Sequence, residues 1–544
     1  MTVQMLSGDS ALRHLGSERF RARWSALYDS CPWATACQHP DFVLPWYALY
    51  GAAFLPVIVF DEGDDGGTLA GLLTLALRPH GKTLTGAGDN QAEYQGWMQA
   101  SGAGSGFMTQ AVRALRAQFP GADLRLKYLP PGIPLDWAEA KEGAGGLCAL
   151  RTHARPLMRI DAAGMNRQRN KKNHRQNYNR LKRMGEVQLE SVVEHDRFLG
   201  MFDEISLQYD FRQAAFFRNM PFSRDPLKKP FHIELQKRGL LHTTVLTVGD
   251  KLAASHIGLF SKGRAIHLGI NTYDPAFAAH SPGNLLLAML GVHLVAEGVP
   301  LLDLTPGGDK YKEQFATGHD VVSELIVYPD RASRLAGETL LGVIRFSKAR
   351  LRAAGVRPAE VVAALQKMKE LKAFGKKLRP KASGHVCELR YRPGALPVVD
   401  TRLPIARNSL QDMVKFDAQG SFARYCDFLG TVMKRLERSM DLFTLVQDGK
   451  LAMFCWVRSV TAEARDHLVL FDLYVHPGFE KAELVRNFIE QLVLGLRATA
   501  HDAGIFYRGA LDGELKTVLK QGGFTDAEGS AAPVAAGELN CVEF

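Results

Sequence analysis

The stretch from Gly239 to Tyr328 constrains the fold of this chain more than any other. Three runs, LLHTTVLTV, LAASHIGLF and AIHLGINTY, are joined by a Gly-Asp-Lys turn and a Ser-Lys-Gly-Arg turn. Alternating or β-branched runs between polar, glycine-bearing turns predict an antiparallel meander. The loop DPAFAAHSPG leads into an apolar helix, LLLAMLGVHLVAEG, with Asn284 as its expected cap. LLDLTPG then reads as a buried strand, DKYKEQF as a short helix and SELIVY as a strand. A meander followed by helix, strand, helix and strand is a mixed α/β arrangement, a sheet flanked by helices.

The same order returns near the C-terminus. LFTLVQDGKLAMFCWVR predicts a hairpin, HLVLFDLYVHP a long strand, and ELVRNFIEQLVLGLRATAHDAG an amphipathic helix closed by Gly504. IFYRGAL and DGELKTVLKQGG supply a further strand and helix. The N-terminal part reads as another α/β unit: strands on either side of an Asp-Gly-Gly turn in PVIVFDEGDDGGTLAGLLTLALRP, a helix in GFMTQAVRALRAQF, a strand in DLRLKYL, then a break at PPGIP. At 544 residues the chain is too long for one core. The expected division is 1–155, 156–335, a basic helical connector over 336–383, and 384–544.

Charge is unevenly placed. The chain carries +10 overall, and Ile344–Lys381 alone holds twelve Lys/Arg against Glu360 and Glu370. A second run, Gly164–Gly185, holds eight cations (Arg167, Arg169, Lys171, Lys172, Arg175, Arg180, Lys182 and Arg183) and no acid. It has helical character, and it leads through the strand VQLESVV to a helix expected over Arg197–Tyr209. A basic run of this kind is either a solvated helix face or a surface for phosphorylated, uronic-acid or nucleic-acid partners. The connector is read as a hinge, with an anionic membrane surface as the alternative.

A hydrophobic fraction of 46% and a charged fraction of 23% describe an ordinary globular protein and exclude disordered and fibrous classes. Seven scattered cysteines, none in a C-x-x-C pair or with His at zinc-ligand spacing, predict reduced thiols and no metal site. The absence of a leader pattern or a long apolar run gives a cytoplasmic protein as the expectation.

The recurring strand, loop and long helix resembles the acyl-CoA N-acyltransferase (GNAT) fold. Over residues 1–335, PWATACQHPDFVLPWYALYG, KKNHRQNYNRLKRMG and YDPAFAAHSPGNLLL…EGVPLLDLTPGGDKYKEQF are similar to the CelD-type acetyltransferases, whose members are often encoded with bacterial cellulose or exopolysaccharide genes. That family resembles the Fem aminoacyl transferases in carrying two GNAT folds, the first usually degenerate. The resemblance implies tandem GNAT folds plus a third, C-terminal one. It implies acetyl-CoA or another acyl-CoA as co-substrate and a small-molecule, saccharide or amino-acid acceptor with an amine or hydroxyl to acylate. Two rival readings stay open: an aminoacyl-tRNA-dependent transferase of the Fem kind, and a non-catalytic scaffold with an operon-encoded protein partner.

The same resemblance implies roles for residues. Ser281, Gly283 and Asn284 open the helix that would cradle a pyrophosphate, because backbone N–H groups and the positive helix end favour phosphate there. In the third region Glu480 and Glu483 stand at the equivalent place and would repel it. Tyr311 would protonate the departing thiolate. His256 or His267 would take the acceptor's proton, the imidazole titrating near neutrality. Asp303, in a buried-looking strand, is either catalytic or a structural partner to a neighbouring group. Lys312 and Asp309 follow that strand and would meet a phosphate or an acidic acceptor. Tyr209 at the end of the preceding helix, Asp210 and Arg212 just beyond it, and Arg175 in the basic run would line the acceptor side. Glu93 and Tyr94 fall in the first fold, where packing or acceptor binding is expected.

Overall fold

A computed structural model describes residues 3–63, 67–100, 106–140, 144–339, 342, 350, 385–392, 402–462, 465–500, 502–511 and 513–527. Most of the expected connector over 336–383 lies outside the described residues. The chain clusters into two compact units. The first comprises Met1–Ser206, Pro221–Thr272 and Gly283–Gly355, and the second Leu207–Met220, Tyr273–Pro282 and Val356–Phe544.

The first unit is built on one continuous sheet. Its strands are β1 (Val3–Ser7), β2 (Leu55–Glu62), β3 (Leu69–Leu77), β4 (Thr83–Gly86), β5 (Met98–Gln99), β6 (Asp123–Leu129), β7 (Cys148–Arg159), β8 (Val187–Ser191), β9 (Leu241–Val248), β10 (Lys251–Phe260), β11 (Ile266–Tyr273), β12 (Leu301–Asp303) and β13 (Gly318–Val327). The spatial order is β1-β2-β3-β4-β6-β13-β7-β12-β11-β10-β9-β8, with β5 on β3. Two repeats are visible in it. Each has a first strand, helices, an antiparallel meander, a helix, and a strand parallel to the last meander strand: β4 with β6, and β11 with β12.

The repeats exchange their last strands. β13 inserts between β6 and β7, and β7 pairs with both β13 and β12. The position expected to divide the repeats, 155/156, therefore falls inside β7, because the twelve-residue strand serves both. Short-range periodicity carries no sign of such an exchange, which depends on pairing between residues more than 140 apart.

The sheet turns two apolar faces to its helices. One cluster joins Trp24, Phe42, Trp46 and Phe60 with Phe231, and another joins Val57, Leu73, Leu126 and Trp137 with Leu325. Helix Pro282–Ala296 is apolar on most sides and buries Leu287, Leu290 and Leu294 against Met158, Ile266 and Leu302. Each such leucine contributes about 1.5–3 kcal/mol on leaving water.

The second unit repeats the pattern. Its strands are β14 (His385–Tyr391), β15 (Ala406–Arg407), β16 (Asp441–Gln447), β17 (Lys450–Ala462), β18 (Arg465–Val475), β19 (Gly504–Leu511) and β20 (Phe524–Asp526), ordered β15-β16-β17-β18-β19-β14-β20. β18 and β19 are the parallel pair, and helix Ala482–Thr499 links them. Inside this unit Phe211, Ala214 and Ala278 share a core with Phe428, Trp456 and Phe471.

Three expectations about helices change. The helix expected over Arg197–Tyr209 spans His195–Phe217, so Asp210 and Arg212 lie within it and not beyond it. No glycine or proline interrupts the sequence after Tyr209 until Pro221, so nothing stops the helix earlier. The helix after β11 begins at Pro282, which places Asn284 in its first turn and not at its cap. Proline is pre-set for that first position and has no N–H to leave unsatisfied. The basic run forms two helices, Ala162–Arg169 and Lys172–Lys182, instead of one.

Candidate functional site

β11 and β12 pair in parallel at only two positions, Ile266 with Leu302 and His267 with Asp303. Beyond these β12 ends, while β11 continues to Tyr273. The two strands thus part at His267 and Asp303, and a polar cluster sits at that point.

Asp303 is 1% exposed and is the hub. Its Oδ2 accepts from the Tyr94 hydroxyl at 2.6 Å and from Arg155 at 3.2 Å, and lies 2.7 Å from His267 Nδ1. Its Oδ1 accepts from the Thr305 N–H at 2.8 Å. Burial pushes the carboxyl's pKa up. The His267 hydrogen bond, with the charge of Arg155 and the Tyr94 hydrogen bond, outweighs that and holds it below the ordinary carboxylate value. Arg155 also meets Asp320 in a two-pronged pair at 2.7 and 2.5 Å. The Tyr94 phenol is pushed up, first by burial and then by the charge of Asp303, and stays protonated.

His267 is buried, and with Nδ1 turned to Asp303 its Nε2 has no hydrogen-bond partner among the described residues. A carboxylate on Nδ1 fixes the ring orientation and leaves Nε2 available as a proton acceptor. The histidine and aspartate singled out from sequence are brought together here. Sequence reasoning missed Arg155, since nothing local distinguishes an arginine on β7 from any other. It noted Tyr94 only for packing or acceptor binding.

Glu93, next to Tyr94, is the other carboxyl at the cluster. Among the described residues its carboxylate has no hydrogen bond or ion pair, while its backbone carbonyl accepts from Tyr128 N–H at 2.9 Å. Burial raises its pKa, and the charges of Lys127 and Lys312 oppose the rise.

Lys312 is 6% exposed and turned inward. Its ammonium donates to Thr305 O at 3.2 Å, Thr305 Oγ1 at 3.1 Å and Pro306 O at 3.1 Å, with Asp309 at 3.7 Å. Burial lowers its pKa against the charges of Asp309, Glu93 and Asp303. It clamps the turn after β12, where Thr305 has a left-handed φ of 59°. Tyr311, on helix Lys310–Phe315, packs against the apolar cluster of Met158, Leu287 and Leu302.

His256 lies elsewhere. It is 0% exposed, neither ring nitrogen has a hydrogen-bond partner among the described residues, and burial lowers its pKa to about 3. A Cβ on Gly258 would touch both Ile266 Cγ2 and the His256 ring, so those side chains share a face of the sheet. His267 points to the opposite face, because successive strand residues alternate. Ser281 takes a left-handed φ of 48° immediately before helix Pro282–Ala296, whose first turn holds Gly283 and Asn284 and no acid. In the second unit, helix Ala482–Thr499 has Glu483 in its first turn. Arg175 is exposed on helix Lys172–Lys182. Tyr209, Asp210 and Arg212 belong to the second compact unit. No group of three or more His, Cys, Asp or Glu with metal-binding geometry occurs among the described residues.

Comparison with known proteins agrees with the second repeat. Residues 168–313 match the family model of an acetyltransferase (GNAT) domain. No curated protein matches. Among solved structures, the chain is similar to the C-terminal domain of a putative lysylphosphatidylglycerol synthetase from Agrobacterium fabrum, at 12% identity and TM-score 0.38, over 58% of this chain and 94% of that one. It is similar to FemX at 9% identity and TM-score 0.40, over 57% and 96%. It is also similar to a tandem GNAT protein of the clavulanic acid biosynthesis pathway at 13% identity and TM-score 0.35, over 60% and 98%. By the family match, residues 168–313 are of GNAT type, and they lie within mixed sheets flanked by helices.

Proposed function

We propose that this chain is an acyltransferase that moves an acetyl or other acyl group from acyl-CoA to an amine or hydroxyl of a small acceptor, with the chemistry in the second repeat. The carrying observation is the His267–Asp303 pair, its Nε2 open, at the point where β11 and β12 part. His267 takes the acceptor's proton as the acceptor attacks the thioester carbonyl. Asp303 orients the ring and stabilises the imidazolium that forms. Tyr94 and Arg155 position Asp303 in turn. Tyr311 returns a proton to the leaving thiolate.

The coenzyme's phosphates fit the start of helix Pro282–Ala296. Its free N–H groups face no carboxylate in the first turn, and Ser281 precedes it in a left-handed turn. Lys312 and Asp309 shape the turn after β12 and contact substrate only through it. The buried surroundings of His256 favour a packing role for it over that of base. The likeness to CelD-type sequences supports a saccharide acceptor.

Thermal unfolding with and without acetyl-CoA tests the reading. Ligand at a hundred times its Kd adds about 2.7 kcal/mol. The expected result is a rise of several degrees, on the order of 5 °C, in the transition of the first unit. Gly283→Asp should abolish the rise, and His267→Gln should keep it while losing release of CoA thiol. No rise in folded wild-type protein would sink the acyl-CoA reading.

A further inference from the structure

The two helices Ala162–Arg169 and Lys172–Lys182 carry a surface that the proposed reaction leaves unused. All eight cations of the run 164–185 are exposed. None forms an ion pair or side-chain hydrogen bond with a described residue. Some surface cations elsewhere are paired: Glu234 pairs with both Lys237 and Arg238, and Arg197 pairs with Glu190. The helices are also firmly seated. Met165 and Leu181 are buried, and His174 stacks on Phe315 with ring centroids 5.8 Å apart. A rigid face of like charges, repelling one another with no internal compensation, calls for an external anion.

The other exposed residues of the face narrow the choice. They are amides, Asn166, Asn170, Asn173, Gln176 and Asn179, and Met184 is the one large apolar side chain exposed there. A membrane-surface helix would present a row of apolar anchors. Single strands, and sugar rings likewise, are gripped by aromatic stacking, and the only aromatic residue other than His174 in the run, Tyr178, is half-buried. A duplex backbone needs neither. Guanidinium groups fork onto phosphates, and amides donate to and accept from the 2′-hydroxyls that an A-form minor groove displays.

We infer that this two-helix face docks double-stranded RNA by its backbone, without reading sequence. The docking is independent of acyl transfer, so the test does not depend on turnover. Binding of the full-length protein to a fluorescein-labelled 20-base-pair RNA duplex is followed by anisotropy as salt is varied. The same-sequence DNA duplex, alginate and phosphatidylglycerol vesicles serve as competitors. The RNA duplex should bind with a steep salt dependence and outcompete the other three. The triple variant Arg175→Gln/Arg180→Gln/Lys182→Gln should lose at least tenfold in affinity, and its salt slope should fall by about three. A control triple, Arg13→Gln/Lys82→Gln/Lys251→Gln, removes the same charge from other exposed positions and should bind as wild type. Circular dichroism confirms that each variant is folded. Equal loss in the two triples, stronger competition by DNA, alginate or vesicles, or no RNA binding at low salt would each overturn the inference.

Discussion

Replacing Asp303 with alanine is the sharpest perturbation of the first unit. The side chain is 1% exposed and serves four donors: Tyr94 Oη at 2.6 Å, His267 Nδ1 at 2.7 Å, Arg155 at 3.2 Å and the Thr305 N–H at 2.8 Å. Alanine removes every acceptor at once. Arg155 keeps Asp320, which limits the electrostatic loss, but the Tyr94 hydroxyl and the Thr305 N–H lose their partner inside the protein. Breaking a buried ion pair costs about 3–5 kcal/mol, and an unsatisfied buried polar group about 1–3 kcal/mol. The losses overlap, so we expect about 4 kcal/mol in all, or a fall of about 8 °C at roughly 2 °C per kcal/mol for a unit of this size. Asp303→Asn, which keeps one acceptor oxygen, should cost about half as much. Calorimetric unfolding of wild type and both variants measures this. The pH dependence adds a second check. A carboxyl whose folded pKa is depressed stabilises above its unfolded value, about 3.9, and that stability disappears as pH falls through the lower folded value. The gap between wild type and Asp303→Asn should therefore be constant from about pH 5 to 8 and close below about pH 4. An alanine variant within about 1 kcal/mol of wild type would refute the claim that this carboxylate holds the site together.

Three more outcomes are expected. His256, buried with neither ring nitrogen hydrogen-bonded to a described residue, favours neutrality; wild-type stability should hold above about pH 6.5 and fall as the pH drops towards about 3, while His256→Leu should lose that acid sensitivity, gain about 1 kcal/mol and retain acetyl-CoA binding in urea melts and thermal shift. Glu93 has a raised pKa, so its ionisation works against folding as pH rises from about 4.5; Glu93→Gln should be at least as stable as wild type at pH 7, with the difference vanishing near pH 4. Lys312→Met removes three hydrogen bonds that clamp Thr305 and Pro306; we expect a loss of about 2 kcal/mol and faster amide exchange at Thr305–Gly308, read by mass spectrometry.

Much of the architecture was legible from local pattern. The turns after Val248 and Phe260 bound strands whose alternation is plain, and β9, β10 and β11 form where the residues say they should. LLDL reads as buried because a three-residue apolar strand with one carboxylate has to be enclosed, and Asp303 is. Helix lengths were less legible. The helix from His195 outruns its expected end because helix propensity has no stop without glycine or proline, and Pro282 takes the first helical position that Asn284 was expected to precede.

The sequence by itself determined the mixed α/β class, the repeated order of elements, the concentration of charge in 164–185, and the presence of chemistry-bearing residue types in the stretches that form β11 and β12. These follow from periodicity, turn chemistry and composition, which act over a few residues. Tertiary structure alone decided that β7 and β13 change places and that Tyr94 and Arg155 converge on Asp303 from 209 and 148 residues away. It also decided that His267 faces that cluster while His256, eleven positions earlier, is sealed on the other side of the sheet. Strand pairing order and the face a side chain takes are set by which distant segment lies alongside, and no local pattern encodes that.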